Sequence, residues 1–143
     1  MSTFRHTKKS YARALKYGYR SGLERQIGDH LKARGISFGF ETLVIPFVQP
    51  ETNRKYTPDF ILDNGIIIES KGMFDSADRK KMLLVKAQYP KLDIRFVFSN
   101  ARAKIYKGSK TTHARWASKY GFPWAHRKIP DEWLKESRKE IIL

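Results

Sequence analysis

Asp59, Glu69 and Lys71 are the residues of this sequence whose types and spacing could do chemistry. Glu69 and Lys71 close the stretch "IIIESKG" (66–72), whose run of three isoleucines reads as an interior strand. Side chains alternate along a strand, so Ile67, Glu69 and Lys71 share one face and Ile66, Ile68 and Ser70 the other. Asp59 lies upstream in "KYTPDFIL", a second strand with Pro58 near its start, and "DNG" (63–65) is the turn between the two. If Asp63, Asn64 and Gly65 form a three-residue loop, with Gly65 taking a positive φ, Leu62 pairs with Ile66, Asp59 with Glu69 and Thr57 with Lys71. Opposed residues have Cβ atoms about 4.5–5.5 Å apart, and two facing carboxylates are destabilising unless positive charge lies between them. A hard divalent cation such as Mg2+ takes oxygen ligands and keeps several waters, and Lys71 would stand beside such a water. A two-residue Asn-Gly turn would instead pair Asp59 with Ser70 and send the carboxylates to opposite faces. An E-x-K string at a strand end is also what a solvated ion pair looks like, and turn chemistry alone admits both registers.

The elements that must hold these residues follow from periodicity. "SGLERQIGDHLKARG" places Leu23, Ile27 and Leu31 on one helical face, with Gly35 as the stop. Ser21 and Glu24 have the spacing of a capping box at its start. "ISFGFETLVIPFVQP" alternates Phe38, Phe40 and Val44 as a strand, and Pro46 and Pro50 make "FVQ" a connector and not a central strand. After the "IIIESKG" strand, Asp75 or Ser76 caps a helix over "ADRKKMLLVKAQ" that ends at Tyr89-Pro90, and "LDIRFVFS" is a fourth strand. Two helices remain, in "THARWASKYG" and in "PDEWLKE". The order is α-β-β-β-α-β with extra C-terminal helices, a mixed α/β fold without repeated βαβ units.

A chain of 143 residues, 41% hydrophobic and 13% aromatic, is enough for one domain with a real core. Its 29 Lys and Arg against 14 Asp and Glu, a formal +15, favour a polyanionic partner, nucleic acid first and an anionic membrane surface second. No apolar stretch is long enough to cross a membrane, and the N-terminus has no signal core. The absence of cysteine excludes disulfides and thiolate zinc sites and fits a reducing cytosol. Residues 1–20 carry Arg5, Lys8, Lys9, Arg13, Lys16 and Arg20 and no acid, as a solvated tail or as a basic arm that orders on a phosphate backbone. Arg79, Lys80, Lys81, Arg102, Lys104 and Lys107 flank the acidic pair in sequence and are further candidates for phosphate contact. His6, His30, His113 and His126 lack metal-site spacing and are expected at the surface or in structural roles, and Trp116, Trp124 and Trp133 in the core.

"TPDF" (57–60) followed by "ESK" (69–71) resembles the Pro-Asp, spacer, Glu-x-Lys signature of a large metal-dependent nuclease superfamily with a restriction-endonuclease-like core. The likeness extends through "RSGLE" (20–24), "YTPDF" (56–60), "SADRKKMLL" (76–84), "LDIRFVFS" (92–99), "KIYKGS" (104–109) and "IPDEWLKE" (129–136), which together resemble phage endonuclease I, a family of Holliday-junction resolving enzymes. The resemblance implies an active site of Glu24, Asp59, Glu69 and Lys71. Asp59, Glu69 and the Ser70 carbonyl would bind one metal, and Asp59 and Glu24 a second. It implies two Mg2+ ions per site, with Mn2+ as substitute, and hydrolysis of branched DNA to a 5′-phosphate and a 3′-hydroxyl. It also implies a single nuclease domain over 21–143 that works as a homodimer in the host cytoplasm. Residues 21–45 would be exchanged between subunits through a connector at 44–50, so that Glu24 serves the partner's site. A restriction-like or nicking enzyme of the same superfamily and an architectural DNA-binding protein are the competing expectations.

Overall fold

The structure is a computed structural model that describes residues 18–19, 21–49 and 52–143. The expected basic arm, with Arg5, Lys8, Lys9, Arg13, Lys16 and Arg20, lies outside the described residues, as does His6. Helix α1 (Gly22–Ala33) begins where the Ser21 side chain accepts a hydrogen bond of 3.0 Å from the Glu24 backbone N–H. Leu23, Ile27 and Leu31 are all buried, as their spacing predicts. Strand β1 (Phe38–Phe40) is shorter than expected: Glu41 takes a φ of +54°, the chain turns, and Val44 is left exposed.

Two strands are arranged differently from the expectation. Ile45–Gln49, read from its prolines as a connector, is strand β2, and it pairs antiparallel with β3 (Thr52–Tyr56) in a separate two-stranded sheet. A proline is admissible there because a two-stranded ribbon is all edge. "KYTPDFIL" is not one strand: it breaks after Tyr56, and β4 (Phe60–Leu62) belongs to the main sheet. Pro58, which lacks a ladder N–H, falls in the break, so Asp59 is carried on the corner between the two sheets.

The main sheet has the order β1-β4-β5-β6-β7, with β5 Ile67–Lys71, β6 Ile94–Phe98 and β7 Trp124–His126. β1, β4 and β5 are antiparallel neighbours, whereas β5, β6 and β7 run parallel. Helix α2 (Ser76–Gln88), capped by Asp75, makes the crossover from β5 to β6. Helix α3 (His113–Lys119) makes the one to β7, and α4 (Asp131–Leu134) follows. Ile67, Phe96 and Phe98 face a core shared with Phe74, Met82, Val85, Trp116 and Phe122, while Ile66, Ile68 and Val97 face the apolar stripe of α1. Both faces of β5 are therefore covered, which is why three isoleucines run consecutively there.

The turn takes the three-residue form. Gly65 has a φ of +90°, its N–H donates to the Leu62 carbonyl, and Phe60 and Ile61 pair with Ile68 and Ile67. The chain's last segment folds over this turn. Asn64 Nδ2 donates to the Trp133 carbonyl at 2.8 Å, and the Lys139 N–H donates to the Asn64 carbonyl at 2.9 Å. Beside it the buried Arg95 donates to both oxygens of Asp93 and both of Glu136 and lies 5.1 Å over the Trp133 ring. These partners hold its guanidinium charged. This clamp sits at the start of β5 and β6; Glu69 and Lys71 stand at the opposite end of β5.

Candidate active site

Extending the β4–β5 register by one pair sets Asp59 opposite Glu69. Both are buried, at 6% and 5% exposure, in the wall of a cleft of about 380 Å³ that Glu24, Ser70, Lys71 and Lys81 also line. Each side chain is fixed by a neighbour of known origin. Asp59 Oδ2 accepts from the Ser70 N–H at 2.9 Å and from Ser70 Oγ at 2.7 Å, so the residue after Glu69 orients the carboxylate facing Glu69. Glu69 Oε1 accepts from the phenol of the fully buried Tyr56 at 2.8 Å, and Glu69 Oε2 lies 3.2 Å from Lys71 Nζ. Lys71 Nζ is also 3.6 Å from Asp78 Oδ1, in the first turn of α2.

The electrostatics follow from burial. Asp59 is pushed well above the ordinary carboxylate range, first by loss of solvent and then by the Glu69 and Glu24 carboxylates, with the Ser70 hydrogen bonds opposing. Lys71 is raised: burial works against its charge, and Glu69, Asp78 and Asp59 outweigh it. Tyr56 is pushed well up by burial and by Glu69, so it stays a phenol and a donor. Among the described residues no three acidic or histidine side chains converge into a ready-made metal cage. The donor set nevertheless suits a hydrated Mg2+, which needs only one or two carboxylates. Both hydrogen bonds to Asp59 fall on Oδ2, leaving Oδ1 as ligand capacity, and the crowding that raises Asp59 is what an added cation relieves.

A testable consequence attaches to that crowding. An acid whose folded pKa is raised costs stability above that pKa, and the cost disappears below its unfolded value. Asp59→Asn keeps an oxygen for both Ser70 bonds and removes one charge, so its melting temperature in divalent-free buffer at neutral pH should exceed wild type by a few degrees. The difference should close below about pH 4. A variant that melts lower than wild type at pH 7 would remove the argument for a site short of positive charge.

Sequence reasoning brought together Asp59, Glu69, Ser70, Lys71 and Glu24, and all five line one cleft, with Glu24 reaching it from α1 of the same chain. It missed Tyr56 and Asp78, although each stands in a stretch quoted for the resemblance; the signal was an aromatic hydroxyl three residues before Asp59 and an acid seven after Lys71. Of the remaining basic candidates, Lys81 lines the cleft and Lys80, Arg102, Lys104 and Lys107 are exposed. Arg79 NH1 donates to the carbonyls of Phe74 and Ile105, bracing the 100–112 loop against α2. Trp116 is core, Trp133 is half-buried under Arg95, and Trp124 is exposed, a departure from the expected core position. His113 is buried, and His126 Nδ1 accepts from the Ala101 N–H, which are structural roles.

The family model described as phage endonuclease I matches residues 4–143, and the chain belongs to that family. It is 49% identical over 123 residues to "Endonuclease I" of Escherichia phage T7, covering 86% of this chain and 83% of that protein. It is 50% identical over 123 residues to "Endodeoxyribonuclease 1" of Enterobacteria phage T3, covering 86% and 81%. No helix among the described residues is long and apolar enough to cross a membrane.

Proposed function

We propose that this chain is a divalent-metal-dependent DNA endonuclease that resolves four-way junctions and other branched DNA in the infected cell. The observation that carries the reading is the buried Asp59–Glu69 pair with Lys71 bound against Glu69 in one cleft. Asp59, Glu69, the Ser70 carbonyl and Glu24 would hold two Mg2+ ions, for which Mn2+ substitutes. When bound, these supply an activated water and neutralise charge on the attacking and leaving oxygens. The chain's own groups do the rest. Tyr56 and Ser70 fix the two carboxylates, and the Lys71 ammonium offers a proton donor to the charge that develops on phosphorus oxygens. The products would be a 5′-phosphate and a 3′-hydroxyl. The net charge of +15 supplies phosphate affinity for the DNA.

Two cuts on opposed strands call for two sites related by a two-fold axis, and a homodimer with residues 21–45 exchanged through the 44–50 connector provides them. One feature of the connector supports exchange. Val44 and Val48, on that connector, are large apolar side chains left exposed. A nuclease of the same superfamily with a restriction-like or nicking activity is the alternative. An end-labelled immobile junction and its component duplexes, incubated with and without Mg2+, separate the two. Paired symmetric cuts in the junction alone are expected; equal cutting of the duplexes would replace junction resolution by the alternative, and products without divalent metal would end the metal assignment.

A further inference from the structure

Beside the cleft, sharing Gly72 and Met73 with it, lies a second recess of about 430 Å³ that the catalytic arrangement does not use. Its walls come from the β5–α2 loop and from the loop 100–112, including Phe74, Lys104 and His113. Met73 and Tyr106 on its rim are 44% and 61% exposed, large apolar side chains left without cover. Lys104 and Lys107 flank Tyr106 and are exposed as well. Asp75, the acid at the rim, is engaged in capping α2. His113 stands in the wall at 3% exposure with an Nδ1 that has no hydrogen-bond partner among the described residues. The recess is built and not incidental. Arg79 ties the Phe74 and Ile105 carbonyls together, and the loop is pinned by Ile105 N–H to Thr111, His113 N–H to Ala103 and a bridge between Lys104 and Thr112.

We propose that this recess is a nucleobase subsite, receiving one unstacked base next to the phosphate held in the cleft. It rests on the reading of the cleft as a DNA-cleaving site. Continuity with the cleft places the occupant on the same strand, and the two lysines place its neighbouring phosphates. Tyr106 supplies the stacking face, which is tolerant of base identity, and Met73 the opposing wall. Branched DNA offers such bases cheaply, because pairs at a branch unstack at lower cost than pairs inside a duplex. The subsite thus gives the enzyme a way to prefer a branch without reading sequence.

The test is a cycle between enzyme and substrate. Binding without divalent metal, and kcat/KM with it, are measured for wild type, Tyr106→Ala and Tyr106→Phe. The substrates are an intact junction and junctions with one abasic nucleotide placed at each of the two positions on either side of the scissile phosphate. On the intact junction Tyr106→Ala should weaken binding about 10-fold, and Tyr106→Phe less than about 2-fold. At one of the four positions the abasic lesion should weaken wild type equally and Tyr106→Ala no further. Melting temperatures should agree, since Tyr106 is on the surface. Multiplicative losses at every position, or an Ala variant that binds like wild type, overturn the subsite. Should wild type cut component duplexes as well as junctions, the junction reading fails, and the same cycle on duplex DNA still decides the subsite.

Discussion

Glu69→Gln and Lys71→Ala should each reduce junction cleavage by about 10²–10³-fold or more while leaving junction binding in divalent-free buffer within about 3-fold of wild type. Glu69 is held from both sides, by Tyr56 on Oε1 and by Lys71 on Oε2. Glutamine keeps that shape but removes the charge that a metal and the Lys71 ammonium both need. Alanine at 71 leaves Glu69 and Asp78 without the cation they share and removes the group proposed as donor to the developing phosphorane charge. Affinity has another source, since phosphate contacts are spread over many basic residues, of which Glu69→Gln removes none and Lys71→Ala only one. Gel-shift titration beside a cleavage time course separates the effects. Parallel loss of binding, melting temperature and cleavage would mean that Glu69 and Lys71 form a structural ion pair.

The second large effect concerns Glu24. A Glu24→Gln homodimer and a Glu69→Gln homodimer should both be inactive, and mixing them under conditions that exchange subunits should restore nicking of single strands. In an exchanged heterodimer one site receives both lesions and the other none, so half of the sites are whole. In an unexchanged heterodimer every site keeps one lesion and activity stays absent. Heterodimer formation is confirmed independently by two affinity tags. An inactive mixture with the heterodimer present would assign Glu24 to its own subunit, through the path that α1 takes in the single chain. The expected recovery is from background to about a quarter of wild-type nicking, because half of the dimers in an equal mixture are mixed and half of their sites are intact.

Much of the site was legible because it depends on local rules. The turn at 63–65 left two registers open in the sequence, and the structure takes the three-residue form, with Gly65 at φ +90°, that sets Asp59 against Glu69. The helix faces of α1 and the cap of α2 were legible for the same reason. What was not legible depends on partners distant in sequence. The split of "KYTPDFIL" required knowing that β2 would pair with 52–56 and leave Asp59 on a corner. Strand β7 has three residues, too few for a periodic signal, and is defined by its pairing with β6. Tyr56 looks like any core tyrosine until the fold brings its hydroxyl to Glu69, thirteen residues on.

The clamp at the start of β5 and β6 has a consequence for synthesis and survival of the chain. It joins Asn64 and Arg95 to Trp133, Glu136 and Lys139, so the base of the sheet is closed by residues synthesised well after every side chain of the cleft. A polypeptide cut short before Glu136 would keep every side chain of the cleft, yet its Arg95 would keep only the two hydrogen bonds to Asp93 and lose the two to Glu136. Loss of these charge-assisted bonds lowers stability, and cellular proteases sample the open state that results. Quality control in the cell would thus remove truncated chains before they meet DNA, through a contact made at the far end of the sheet from the Asp59–Glu69 pair.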